Sequence, residues 1–336
     1  MKQNYLADKF PVYPLIAIPT AIHPLTNLNR RLNGVNIYVK RDDVMDIGLG
    51  GNKLRKLEYL LHDAISKGAD TLLTTGGIQS NHTRLTATAA ARAGLACEVV
   101  LSQLVPVKTA NYNQNGNILL EKILGVKMHI VPENGSGAAV LEARQAELTA
   151  QGKHPYTMPM GGSSPIGALG YANCYLEIMA QSQEMDITFS HILLPNGSSG
   201  THAGLLAGQK YAGHTGPQIR SYAVLADEVT TKKATLEKAN ATANLLGYTK
   251  SIPAEEVFVS DSARGEAYGI PTEAMWHALK LLASTEGIFL DPVYSGKAFA
   301  GMLADIEQGR FPEGSNLLFV MTGGTPGLFA YQDLVE

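Results

Sequence analysis

Cysteine is almost missing from this chain: there are two in 336 residues, Cys97 and Cys174. They have no close partner and no metal-like spacing, which excludes a disulfide framework and a thiolate metal site. They read as buried thiols in a reducing cytoplasm. Tryptophan is scarcer still; the single Trp276 reads as core. Charge of one sign is lacking too. Lys+Arg total 27 and Asp+Glu 30, a formal net of -3, with no basic stripe for nucleic acid and no like-charge run for a tail. No stretch approaches the roughly 18 uninterrupted apolar residues of a membrane span. The opening MKQNYLADKFPVYP sets Asp8 and Lys9 before prolines instead of an apolar run, unlike a secretory leader. The nine histidines show no metal-ligand spacing.

What the chain has is bulk and glycine. Hydrophobic residues make up 45%, enough for a large core, and the length suggests about two domains or one split domain. Short β-rich runs alternate with longer helical ones. VNIYVK (35–40), TLLTT (71–75), CEVVLS (97–102), MHIV (128–131), HILL (191–194), SYAVLA (221–226) and NLLFVMTGG (316–324) read as strands. Between them, Leu54, Leu57, Leu60, Leu61, Ala64 and Ile65 recur at helical spacing, and further helices are expected around NILLEKILG and from Ala138 to about Ala150. This alternation predicts an α/β fold of parallel strands covered by helices. Ligands in such folds sit at the carboxyl ends of strands. The loops GGIQSNHTR, PMGGSSPIG, PNGSSGTHAG and MTGGTPG are therefore the candidate site.

Each loop has an ordinary and a chemical reading. PNGSSGTHAG (195–204) follows a strand and opens a helix. Its small residues let backbone N–H groups converge on a phosphate, with Ser198, Ser199 and Thr201 adding hydroxyls. The ordinary alternative is a capped β–α turn. In GGIQSNHTR (76–84), Ser80 or Asn81 caps a helix, and the same helix start can bind a carboxylate. In GLGGNKLRKLE (48–58), Lys53 stands at a helix start crowded by Arg55 and Lys56. Like charge and desolvation lower a lysine pKa, and a neutral amine attacks carbonyls. The alternative is a solvated basic turn balanced by Glu58. Tyr268 and Tyr294 are acid–base candidates only if the fold brings them together.

Taken in order, KRDDVMDIGLGGNKLRKLEYL, GGIQSNHTRLTA, GGSSPIGALGY, GSSGTHAGL, DPVYSGKAFAG and TGGTPGLFAY resemble the D-cysteine desulfhydrase and 1-aminocyclopropane-1-carboxylate deaminase family, from about Pro14 to Tyr331. The resemblance implies pyridoxal 5′-phosphate on a two-domain, tryptophan-synthase-β-like fold (fold type II), each domain an open, mostly parallel sheet with the cofactor in the cleft between them. The larger domain would comprise 1–53 plus 166–336 and the smaller 54–165. It implies that Lys53 holds the cofactor as a Schiff base and Asn81 bonds its 3′-oxygen. Gly197, Ser198, Ser199, Gly200 and Thr201 would hold its phosphate, and Thr322 would face the pyridine nitrogen. Ser80, Asn81 and His82 would receive the substrate carboxylate, with Ser80, Tyr268 and Tyr294 at the reacting face.

Within the family, deaminases carry Glu after the active-site Tyr and Leu before the closing glycines. This chain has Ser295 and Thr322 there, as desulfhydrases do. The reaction implied is β-elimination of D-cysteine to hydrogen sulfide, pyruvate and ammonia, by a cytoplasmic homodimer with no nucleic-acid or membrane partner. The competing readings are elimination from L-cysteate or β-chloro-D-alanine, the deaminase reaction, a β-replacement synthase, and a non-catalytic binding protein.

Overall fold

The computed structural model describes residues 4–32, 34–107, 109–132 and 135–335. Its strands are β1 Ile22–Pro24, β2 Val35–Lys40, β3 Thr71–Gly77, β4 Ala96–Ser102, β5 Lys127–Ile130, β6 Pro155–Thr157, β7 His191–Asn196, β8 Gln218–Ala223, β9 Phe258–Ser260 and β10 Ser315–Val320. Its helices are α1 Thr26–Asn29, α2 Lys53–Ser66, α3 Asn81–Ala93, α4 Ala110–Gln114, α5 Asn117–Ile123, α6 Gly137–Ala150, α7 Pro165–Glu184, α8 Gly200–Tyr211, α9 Glu228–Leu246, α10 Glu273–Glu286, α11 Ser295–Glu307 and α12 Thr325–Ala330. None is long and apolar enough to cross a membrane among the described residues.

The strands form two sheets, ordered β1-β2-β10-β7-β8-β9 and β5-β4-β3-β6. All pairings are parallel except β1 with β2. Strand alternation explains why helices cover both faces of the first sheet. Ile192, Leu194, Leu318 and Val320 pack with α7, α8 and α9, whereas Leu193, Leu317 and Phe319 pack with α10 and α11. Two more cores flank the second sheet. Leu72 faces α2 and α3, and Val99 and Leu101 face α4 and α5. Each fully buried leucine or valine contributes about 1.5–3 kcal/mol relative to exposure.

The α/β expectation holds, with local differences. The strand expected at 221–226 starts at Gln218 and stops at Ala223. Its register ends where β7 ends, at Asn196↔Ala223, and the chain then turns toward the cleft. β1, β6 and β9 are three-residue edge strands, too short to carry a period-2 signal. Trp276 is half-buried on a core's rim and Cys97 is only half-buried, although burial still pushes the Cys97 thiol up to about 12.

Candidate active site

The carboxyl ends of β2, β3, β7 and β10 all open into one cleft, lined by Lys53, Ser80, Asn81, Gly197, Tyr268, Tyr294 and Thr322 among others. Two loops meet at its floor. Asn52 N–H donates to the Thr322 carbonyl at 3.0 Å, so the turn before α2 is tied to the turn after β10. A Cβ on Gly323 would stand 2.8 Å from Gly51 Cα, a contact real side chains do not make. Both positions also have positive φ, so glycine is favoured at Gly323 on two counts and at Gly51 by its backbone conformation.

Lys53 is the first residue of α2. Its Nζ donates to Asn52 Oδ1 at 2.8 Å, and Asn52 Nδ2 in turn donates to Thr201 Oγ1 at 3.0 Å. Burial lowers the Lys53 amine to about 8; the Arg84 cation adds to the fall and Asp291 opposes it. Of the two causes the sequence suggested, desolvation is the main one, and the like charge comes from Arg84 and not from Arg55 or Lys56. Arg55 points away, donating through Nε to Asp42 Oδ2 at 2.8 Å and through Nη1 to Glu177 Oε2 at 2.9 Å. The solvated-turn alternative fails, because Arg55, Lys56 and Glu58 are all buried. Glu58 Oε1 accepts from the Leu15 and Ile16 N–H groups.

The loop from β7 to α8 forms a cradle. Ser199 adopts φ +70, which turns the chain into α8, and Ser199 N–H donates to Asn196 Oδ1 at 3.1 Å. The first N–H groups of α8 have no intrahelical acceptor. Ser198 Oγ lies 2.7 Å from Ser163 Oγ, and Lys56 Nζ donates to Ser163 Oγ at 3.0 Å and to the Gly161 carbonyl at 3.2 Å. A Cβ on Gly200 would come within 2.5 Å of Ser163 Oγ and 2.8 Å of Lys56 Nζ. Burial, then the neighbouring Lys53 charge, holds the Lys56 amine well below its ordinary value. A bound dianion would restore that charge, so free amides, hydroxyls and a buried amine suit a phosphate.

Across the cleft, Ser80 caps α3, its Oγ accepting from Thr83 N–H at 3.2 Å. The Ser80 hydroxyl keeps its own proton to donate, and the N–H groups of Asn81 and His82 open the helix. The His82 imidazole is buried and committed. Thr74 Oγ1 is 3.0 Å from the Met158 carbonyl, which can only accept, and 2.9 Å from His82 Nε2. The single threonine proton goes to the carbonyl, so Nε2 carries hydrogen and donates. Burial, with Lys53 and Lys56 adding to the effect, keeps the His82 ring neutral. Its backbone, not its ring, is the donor available to an anion.

Tyr268 and Tyr294, left apart by the sequence, meet hydroxyl to hydroxyl at 2.5 Å. Burial raises both phenols, so both are protonated at neutral pH. Asp291 holds the Tyr294 turn, accepting from the N–H groups of Val293, Tyr294 and Ser295 at 2.9, 2.8 and 2.7 Å. The Ser295 hydroxyl also donates to Asp291, at 2.6 Å, which turns it away from the cleft. Thr322 lines the cleft, its hydroxyl without a hydrogen-bond partner among the described residues.

Asn52, Ser163 and Asp291 are polar groups that sequence reasoning passed over, and Lys56 was read only as a crowding neighbour of Lys53. Asn52 and Ser163 sit inside glycine loops already singled out, but nothing in their spacing shows that they bond across to Thr201 and Lys56.

A family model described as pyridoxal-phosphate dependent enzyme matches residues 14–323. A protein of Yersinia pseudotuberculosis serotype O:1b (strain IP 31758) named D-cysteine desulfhydrase is 44% identical over 336 residues, 100% of each chain. One of the same name from Salmonella schwarzengrund (strain CVM19633) is 41% identical over 325 residues, 96% of this chain and 97% of that one. A solved structure titled as an ACC deaminase homologue superposes with a TM-score of 0.88 at 37% identity, covering 98% and 97% of the two chains. A threonine deaminase of T.th., at TM-score 0.64 and 19% identity over 91% and 92%, shares the fold.

Proposed function

Because the chain belongs to the pyridoxal-phosphate dependent enzymes, in the family of D-cysteine desulfhydrases and 1-aminocyclopropane-1-carboxylate deaminases, and is a lyase using that cofactor, we propose that it eliminates the thiol of D-cysteine. The products are hydrogen sulfide, pyruvate and ammonia, with one water consumed. The observation that carries this reading is the protonated Tyr268–Tyr294 pair sharing a cleft with an amine lowered to about 8.

Lys53 Nζ is the attachment point for the cofactor. The start of α8, with Ser198, Ser199 and Thr201 and with Lys56 behind them, holds its phosphate. Asn81 would hold its 3′-oxygen, and Thr322 would face its ring nitrogen. When bound, the cofactor supplies a sink for the electron pair left at Cα of an attached amino acid. The hydroxyl of Ser80 and the N–H groups of Asn81 and His82 bind the substrate carboxylate at the positive end of α3. The Lys53 amine would take the Cα proton; both tyrosines already hold theirs and cannot act as that base. The C–S bond then breaks with its electrons going to sulfur. Tyr268 or Tyr294 gives the departing sulfur a proton, and the remaining tyrosine stabilises the phenolate. In this reading residues 54–165 carry the carboxylate subsite and, through Lys56 and Ser163, back the phosphate subsite that 1–53 plus 166–336 carries, and Lys53 stands at the junction.

Cysteate is the less favoured substrate. Its sulfonate needs cations beyond the cofactor site, yet the His82 ring is neutral and Arg84 is bonded elsewhere. The test is a screen of D- and L-amino acids with β-leaving groups, plus the cyclopropane amino acid, measuring sulfide, sulfite, pyruvate and 2-oxobutanoate separately. Stoichiometric sulfide and pyruvate from D-cysteine are expected. Faster sulfite release from cysteate, or 2-oxobutanoate from the cyclopropane substrate, would overturn the assignment.

A further inference from the structure

Arg84 lies on α3, fully buried and outside the lining of the cleft. A guanidinium only donates, and a backbone carbonyl only accepts. That asymmetry assigns every amide orientation in a chain of bonds leading to Asn81. Arg84 Nε donates to Asn117 Oδ1 at 2.7 Å. The other end of the Asn117 amide must then be Nδ2, which donates to the Gln79 carbonyl at 3.1 Å and to Asn81 Oδ1 at 3.0 Å. Gln79 is pinned in the same way. Its Nε2 donates to the carbonyls of Tyr112 and Asn115, and its Oε1 accepts from Asn117 N–H at 2.9 Å. With Oδ1 turned to Asn117, Nδ2 is the other end of the Asn81 amide, and no described residue accepts from it.

The neighbouring carboxyl does not compete for Arg84. Thr83 Oγ1 lies 3.0 Å from the Ser80 carbonyl and 2.5 Å from Glu121 Oε1. The hydroxyl has one proton for these two oxygens, and a proton on Glu121 satisfies both contacts. Burial accordingly raises the Glu121 carboxyl to about 8. A neutral Glu121 leaves Arg84 without an ion pair, its Nε committed to Asn117 and its Nη2 to the Gly50 carbonyl at 3.3 Å.

We propose that Arg84 and Asn117 are positioning residues whose hydrogen bonds lock Asn81 as a donor, so that an anionic oxygen is the group accepted at that point of the cleft. The inference rests on the reading that places Asn81 beside the cofactor's 3′-oxygen. It is tested on the holoenzyme, with pyridoxal 5′-phosphate as probe, in Asn81→Ala, Asn117→Asp, Arg84→Met and Arg84→Lys. The readouts are the pH titration of the bound chromophore, cofactor retention on dialysis and the thermal midpoint.

Asn117→Asp removes the donor to Asn81, and Arg84→Met removes one of the two groups that fix the Asn117 amide, the other being the Gln79 carbonyl. Both are expected to move the chromophore titration in the same direction as Asn81→Ala and to weaken retention by about tenfold or more. Arg84→Lys, also donor-only, should keep the wild-type titration. If either disrupting variant does not fold, the other carries the test. Wild-type titrations in Arg84→Met and Asn117→Asp beside a shifted Asn81→Ala would sink the relay while leaving the role of Asn81 intact. So would a midpoint that falls without a spectral change, or Arg84→Lys behaving like Arg84→Met. An unshifted Asn81→Ala would remove both the role and the relay.

Discussion

Lys53 and Arg55 stand two residues apart at the start of α2, and the fold treats them in opposite ways. Burial pulls both downward. On the cleft side Lys53 has an amide oxygen as its bonded partner, and its amine settles near 8. On the other side Asp42 and Glu177 more than offset the same desolvation, and Arg55 rises well above its ordinary value. Tyr171 donates to Asp42 and Lys40 to Glu177, so that side forms a closed, electrically balanced network. Its cation is permanent, and its work is to anchor α2 against β2 and α7. On the carboxylate-poor side Asp291 offsets the desolvation only in part, which leaves the amine near 8.

Four changes would break or sharpen that contrast. The largest effect belongs to the cleft side: Lys53→Ala should reduce sulfide release by about 10⁴-fold or more with the fold intact by circular dichroism. Near-normal turnover without this amine would end the reading. On the network side, Glu177→Gln should cost about 3–5 kcal/mol in urea unfolding by leaving Arg55 and Lys40 short of a partner. The turnover of the folded fraction should stay unchanged. A loss below about 1 kcal/mol would mean the network behaves like a surface pair.

Tyr268→Phe or Tyr294→Phe, also in the cleft, should slow elimination by about 10²-fold or more. The loss should be smallest for substrates whose leaving group needs no proton; an equal loss for all of them would deny the tyrosines the role of acid.

The smallest effect is a pH dependence. The folded Lys53 value of about 8 lies below the ordinary 10.5, so between the two the unfolded chain binds more protons. Stability of the cofactor-free protein should therefore rise with pH across that window. Lys53→Met should be the more stable protein at neutral pH, with the gap closing above the upper value. A gap that does not vary with pH would mean the amine is not desolvated.

Much of the framework was legible from the chain. Strand and helix periods, together with Gly-Ser loops at strand ends, located β2, β3, β4, β7 and β10 and the four loops that line the cleft. Ser80 was readable as a cap because its residue type and place before a helical run leave few other roles. Less was legible about partners. Arg55 and Lys56 looked like crowding neighbours of Lys53, yet one is neutralised by Asp42 and Glu177 and the other donates to Ser163 behind the loop from β7 to α8. His82 was expected at the substrate carboxylate, and its ring is neutral and bonded to Thr74.

By itself the sequence settled the alternation of elements, the places where backbone amides are exposed, and which lysine follows the glycine turn. These depend on local sterics and periodicity, which act over a few residues. Only the tertiary structure decided which charges are compensated and which hydroxyls meet. Glu177 reaches Arg55 across 122 positions, and Tyr268 reaches Tyr294 across 26. Charge and hydrogen-bond energies depend on distance through space and on exclusion of water. Separation along the chain encodes neither.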